Sequence, residues 1–149
     1  MFAEVMRDAG YAAYRARLNA LLGIPENATD NQIHQQIMAG FPASRLVELC
    51  EKGDVSPIER DQIIPLRTLK TRLSKEQPLT VDESDRLFRA AHITSMAETI
   101  FGTREKAKRW LGKPKERFNG ETPMAMLLTL QGTRQVEEML LQITEGYAF

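Results

Sequence analysis

Four basic residues lie close together in the middle of the chain without an acid among them. They are Arg67, Lys70, Arg72 and Lys75. Leucines at 66, 69 and 73 follow the spacing of one helix face. We therefore expect these leucines to face inward, and the other side chains to face largely outward: Arg67, Thr68, Lys70, Thr71 and Arg72.

That outward set has the chemistry of a DNA-binding helix. Arginine can form two hydrogen bonds with a guanine edge, while lysine and threonine can bind phosphates. Each phosphate that a cation neutralises also releases counterions. The five outward residues are therefore the predicted DNA contacts. A solvated basic face on an ordinary helix explains the same pattern, and the residues alone leave both interpretations open.

The elements around this helix predict a helix-turn-helix. Ser56 can cap a helix, and Pro57 suits its first position. Pro65 has no N–H and disfavours a helical residue before it, so a new helix should begin there. Two short helices then abut, "PIERDQII" and "PLRTLKTRLSK". The turn between them lacks glycine, which departs from the usual pattern.

The rest of the chain predicts an all-α fold of about nine helices. Apolar residues recur at helical spacing over 3–22, and Thr29 with Gln32 and Thr80 with Glu83 form capping boxes. The later helices are expected over 81–101 and 104–111, from Pro123 to Gly132, and from a Thr133 cap onward. Alternating runs typical of strands are not convincing anywhere in the sequence.

Composition excludes several classes of protein. The 20 basic residues balance the 20 acidic ones, so bulk charge predicts no partner. Cys50 is the only cysteine, which suits a reducing cytosol and a core position. The first residues do not resemble a signal peptide, and no apolar run is long enough to cross a membrane. We expect a cytoplasmic protein with no membrane contact, no metal and no cofactor.

An enzyme is not expected. His34, His92 and Cys50 form no recognisable catalytic spacing, so no catalytic residue is assigned. His92 is interpreted as a surface or interface histidine, and Trp110 as a core anchor. The final Tyr147, Ala148 and Phe149 carry two aromatic rings and a carboxylate. We expect this tail to insert either into the protein's own core or into a pocket of a partner.

Seven spaced motifs in the second half of the chain carry a family resemblance. They are "ESDRLFRAAHI", "AETIFG", "KAKRWL", "FNGETPMAML", "TLQG", "VEEMLLQI" and "EGYA". In this order they resemble the C-terminal toxin-binding domain of the Xre/MbcA/ParS antitoxin family. "IIPLRTLKTRL" resembles the end of the helix-turn-helix that precedes that domain in the family. The resemblance covers roughly residues 55–149.

The resemblance implies a bacterial type II toxin–antitoxin module. In that family the antitoxin usually neutralises a RES-domain toxin that destroys NAD⁺, and it represses its own promoter. The implied partners are a cognate RES-domain toxin and operator DNA. Because repressors of this shape read two half-sites, we also expect a homodimer within a larger toxin–antitoxin complex. A dimeric helix-turn-helix repressor without a toxin partner is the alternative.

The predicted organisation has three parts. Residues 1–42 form N-terminal helices that are the natural place for dimer contacts, 43–78 a helix-turn-helix DNA-binding region, and 79–149 a compact helical toxin-binding domain. The residues expected to contact the toxin are Arg104, Lys108, Gly146, Tyr147, Ala148 and Phe149.

Overall fold

A computed structural model describes residues 8–146. For Asp8 it describes only the backbone. Over this range the chain forms eight α-helices and two 3₁₀ turns, without a strand. The α-helices are α1 (Asp8–Leu22), α2 (Asp30–Ala39), α3 (Ala43–Glu51), α4 (Pro57–Ile63), α5 (Leu66–Ser74), α6 (Val81–Phe101), α7 (Arg104–Leu111) and α8 (Leu130–Thr144). The 3₁₀ turns are Glu116–Phe118 and Ala125–Leu128. The all-α prediction is confirmed.

Helix α6 is the centre of the fold. It begins at the predicted capping box, in which Thr80 Oγ1 accepts from the Glu83 amide at 3.2 Å and Glu83 Oε1 accepts from the Thr80 amide at 2.9 Å. Its flanks pack against α1, α2, α4, α7 and α8. Every residue from 93 to 97 is buried, so the middle of α6 is enclosed on all sides.

Helices α4 and α5 abut as the sequence predicts. Ser56 Oγ accepts from the Glu59 amide at 3.2 Å, and Pro57 occupies the first helical position. Ile64 is extended ahead of Pro65, which is the conformation that a following proline favours. The Ile64 carbonyl accepts from Arg60 Nη1 at 3.1 Å, and the Ile63 carbonyl accepts from an arginine of α6. The turn needs no glycine, because Ile64 (φ −158°) and Pro65 (φ −61°) both lie at negative φ.

The expected inward face of α5 is only partly right. Leu69 is buried, but Leu66 is 46% exposed and Leu73 is 39% exposed. This short helix packs against α3 along a narrow stripe, so only the leucine at its centre reaches the core. Helical spacing placed the three leucines on one face, but it could not tell how wide the covering surface would be.

The predicted boundaries after Thr122 are wrong. Residues 125–128 form a 3₁₀ turn, and α8 begins at Leu130 with Thr129 as its cap. Thr129 Oγ1 accepts from the Gly132 amide at 2.9 Å, while Thr133 is a buried residue inside the helix. Gly132 does not end a helix. It lies where an added Cβ would be 1.9 Å from the Met126 carbonyl oxygen, so glycine permits the 3₁₀ turn to contact α8 closely.

Gly132→Ala should destabilise the protein, although this change normally stabilises a helix interior by about 1 kcal/mol. The new methyl group would displace the Met126 backbone, and we expect a loss of about 1–3 kcal/mol in the free energy of unfolding. Urea denaturation followed by circular dichroism measures it. Gly112→Ala is the matched control, since its φ is −95° and its Cβ would meet no atom closer than 3.3 Å. A variant at 132 that gained stability would contradict the close contact.

Candidate functional site

The outer face of α5 presents two of the predicted DNA-binding cations directly to solvent. Arg67 and Lys70 are exposed, and neither forms an ion pair with any residue between 8 and 146. Thr68 and Thr71 are half-buried beside them, and Thr71 Oγ1 donates to the Arg67 carbonyl at 3.1 Å. Arg67 and Lys70 can therefore approach a phosphate or a base edge without first breaking an ion pair.

Arg72 does not project outward as expected. Its Nε and Nη2 donate to the two carboxylate oxygens of Glu83, each at 3.2 Å. Burial opposes the charge of Glu83, but the hydrogen bonds from Arg72 and the Thr80 amide outweigh it and lower the pKa of that carboxyl. The pair joins α5 to the first turn of α6, so Arg72 fixes the position of the helix that carries Arg67 and Lys70.

The two basic residues predicted to bind a toxin from α7 contact the loop before α4. Arg104 Nη2 donates to the Lys52 carbonyl at 3.1 Å and lies 3.3 Å from Asp54 Oδ1. Lys108 Nζ donates to the Gly53 carbonyl. Asp54 also binds Arg17 Nη2 of α1 at 2.9 Å. Arg104 and Lys108 therefore join the C-terminal half of the chain to the helix-turn-helix, and their contact with a toxin stays a prediction.

Trp110 lies at the edge of the core. It is half-buried, its ring centroid lies 5.6 Å from that of Phe101, and the Lys115 Nζ lies 4.9 Å from its ring centroid. A cation in that position is attracted by the face of the indole. Trp110 is thus anchored to the core through Phe101 while part of its ring still meets solvent.

The last predicted toxin contacts follow α8. Gly146 is exposed, with a φ of +91°, and its amide donates to the Ile143 carbonyl at 3.0 Å. Tyr147, Ala148 and Phe149 lie outside the described residues. The expectation that this tail inserts into a pocket therefore stays a prediction from its residue types.

His92 is a structural link between three helices. Its Nδ1 lies 2.5 Å from Tyr14 Oη of α1, and its Nε2 lies 3.0 Å from Glu137 Oε1 of α8. Its ring stacks on Phe88 with centroids 5.8 Å apart. Sequence spacing could not reveal this network, because its members come from distant parts of the chain.

Three further expectations concern Cys50, metal ions and membrane-spanning helices. Cys50 is half-buried against the core, and burial raises the pKa of its thiol. Among residues 8–146, no three acidic, histidine or cysteine side chains converge in a way that could hold a metal ion. In the same range, no helix has the length and apolar character that crossing a membrane requires.

Comparison with known proteins gives the helix-turn-helix and the C-terminal helices separate assignments. Residues 32–92 match the model of the antitoxin Xre-like helix-turn-helix domain. Residues 96–146 match that of the antitoxin Xre/MbcA/ParS C-terminal toxin-binding domain. The chain is 69% identical to antitoxin Xre of Pseudomonas putida over 147 residues, which are 99% of this chain and 92% of that protein. The chain belongs to the antitoxin Xre family.

A more distant relative agrees with this assignment. Antitoxin Xre of Photorhabdus laumondii is 32% identical over 96 residues, covering 64% of this chain and 63% of that protein. The protein is thus an antitoxin of this family and not an enzyme. In the antitoxin, α4 and α5 lie within the helix-turn-helix match, and α7 and α8 lie within the toxin-binding match. Helix α6 extends into both matches and connects them.

The Arg72–Glu83 pair predicts an acid-sensitive contribution to the stability of the antitoxin. Glu83→Gln should lower the free energy of unfolding at neutral pH by about 1.5–3 kcal/mol, the range for hydrogen bonds to charged groups. The folded pKa of Glu83 lies below the unfolded value of about 4.3. The stabilisation is therefore complete above that value, and it is lost as the pH falls through the folded pKa.

Urea denaturation of the parent protein and Glu83→Gln between pH 7 and pH 3 measures this difference. The two proteins should converge in stability as the solution becomes acidic. Glu138→Gln, at an exposed position of α8, should match the parent throughout. A difference between parent and Glu83→Gln that stayed constant down to pH 3 would show that the ionised carboxylate is not its source.

Proposed function

We propose that this antitoxin neutralises a RES-type toxin that degrades NAD⁺, and that it represses its own operon by binding promoter DNA. One observation carries the proposal. The helix-turn-helix match and the toxin-binding match both include part of helix α6. Exposed cations on α5 supply a surface for DNA, and α7 and α8 belong to a domain matched as toxin-binding. The proposal assigns no catalytic side chain to this protein.

For DNA binding, we propose α5 as the helix that enters the major groove. Arg67 and Lys70 would contact DNA directly, and Thr68 and Thr71 would contact phosphates beside them. Arg72 would act mainly by holding α5 against α6 through Glu83. Repressors with this motif read two half-sites about one helical turn apart, so we propose that a homodimer binds the operator.

For the toxin, the proposed class follows from the motifs that resemble the family. A RES-type toxin must bind a dinucleotide with a dianionic pyrophosphate and two flat bases. The tail from Tyr147 to Phe149 offers aromatic rings and a carboxylate to such a pocket, and we propose it as a toxin contact on that ground. The module would act in the bacterial cytoplasm, where NAD⁺ is consumed.

Coexpression of the full chain with the product of the neighbouring toxin reading frame tests the proposal. Induction of the toxin alone should deplete cellular NAD⁺ and stop growth, and the full chain should restore both. The two proteins should also copurify. Restored growth without a change in NAD⁺ would show another kind of toxin, and failure to copurify would favour the repressor without a toxin partner.

Arg67→Ala and Lys70→Ala should each weaken binding of the purified antitoxin to its promoter. Each lost phosphate contact should lower the dependence of log K on log salt by about 0.9. Fluorescence anisotropy over a range of salt concentrations measures both quantities. Lys106→Ala removes an equally exposed cation from α7 and should leave DNA binding unchanged. If the double variant at 67 and 70 binds like the parent, α5 is only a solvated basic face.

A further inference from the structure

Two leucines of the C-terminal domain face solvent side by side. Leu128 is 54% exposed and Leu130 is 50% exposed, although both are large apolar residues. Thr129 between them is extended, with φ −125° and ψ 158°. Leu128 and Leu130 therefore flank the junction between the second 3₁₀ turn and α8, and both are open to solvent there.

A third large apolar side chain is exposed on the helix-turn-helix. Glu59 and Gln62 of α4 line a small groove together with Met124 and Leu128. Ile58 lies one helical turn before Gln62 and is 75% exposed. Residues four apart on a helix share a face. We call these three exposed side chains, Ile58 on α4 and Leu128 and Leu130 at the start of α8, the apolar patch.

The local structure holds the two leucines on this surface. Thr129 caps α8, and Gly132 contacts the Met126 backbone, so the chain around both leucines is fixed. Isolated exposed leucines are common in proteins and need no explanation. Several exposed large apolar side chains on neighbouring elements are typical of an interaction surface.

Charge next to the apolar patch indicates what kind of surface would cover it. A second pocket, of about 140 Å³, shares Glu59 and Met124 with the groove and is also lined by Lys108 and Gly112. The segment 104–117 that begins there contains seven cations and two acids. Among these cations Lys106, Lys108, Arg109, Lys113 and Arg117 are exposed, and Lys108 lines the second pocket itself. A partner that carries acidic side chains around an apolar centre would match both features.

We propose that the toxin docks on the apolar patch through an apolar surface bordered by acidic residues. This inference rests on the proposed function, and it names the surface that the toxin-binding domain would use. Leu128 and Leu130 lie inside the stretch matched as toxin-binding, and the cations beside them make that stretch suited to an acidic partner. Three side chains do not cover a whole interface, but a few central apolar residues commonly supply most of the binding energy.

Titration of the purified toxin with full-length Leu128→Asp or Leu130→Asp tests the surface. Each change should weaken binding roughly tenfold or more, as loss of a central contact does. Val81→Asp is a matched control. Val81 and Leu130 are each the first residue of a helix, each is exposed, and an acid there interacts favourably with the helix dipole. Val81→Asp should bind toxin like the parent, and circular dichroism should show unchanged helix content in all three variants.

The outcomes separate this surface from the proposed function. If the parent binds the toxin and both leucine variants bind it equally well, the apolar patch is not the docking surface while the proposed function stands. If the variants keep toxin binding but lose self-association in analytical ultracentrifugation, a second copy of the chain occupies the patch and the proposal is overturned. A parent that does not bind the toxin refutes both.

Two further measurements keep the test decisive. If an aspartate variant loses helix content, Leu130→Gln removes the apolar contact without adding a charge and should still weaken binding. Raising the salt concentration should weaken toxin binding by the parent, because the acidic border would face Lys106, Arg109 and Lys113. Binding that did not change with salt would contradict the acidic border.

Discussion

Enclosure of helix α6 on all sides is the constraint on which the rest of the structure depends. A helix buried all round must have partners on every face, and here those partners come from both functional halves of the chain. Its first turn holds α5, the helix proposed to bind DNA, through Glu83, and its last turns bind α1 through Glu98 and Arg17. The helix-turn-helix match and the toxin-binding match therefore share one continuous helix and are not connected by a loop.

The loop before α4 forms polar contacts that add to the packing around α6. Asp54 is largely buried and binds Arg17 and Arg104, while Lys108 hydrogen-bonds the neighbouring backbone. Ion pairs and hydrogen bonds of this kind offset the cost of removing charged side chains from water. Residues from the N-terminal helix and from the toxin-binding domain thus meet just before α4, and they fix the position of the loop that leads into it.

Local signals in the sequence predicted most of the helix starts, and contacts between distant residues explain what they missed. The capping boxes at Thr29 and Thr80 and the Ser56–Pro57 start are confirmed, because each needs only residues a few positions apart. Thr133 looked like a cap after Gly132, but the contact of Gly132 with Met126 gives that role to Thr129. Arg72 looked like a DNA contact because its partner Glu83 belongs to another helix. The exposed leucines at 128 and 130 could not be distinguished from core residues, since spacing alone does not report what covers a face.

The position of Ile58 has a consequence for how the two partners would coexist. Ile58 lies in the first turn of α4, and α4 joins α5 through the two-residue turn Ile64–Pro65. Arg60 donates to the Ile64 carbonyl, and Arg86 donates to the carbonyl of Ile63 just before the turn. Such a turn leaves α4 little freedom to move without α5. A toxin docked on Ile58 would contact the helix directly before α5, whereas the exposed Arg67 and Lys70 lie on α5 itself, outside the apolar patch. Toxin binding would then fix the orientation of the DNA-facing helix without competing for its surface. On this geometry the complex with toxin, and not only the antitoxin alone, would be able to bind the operator.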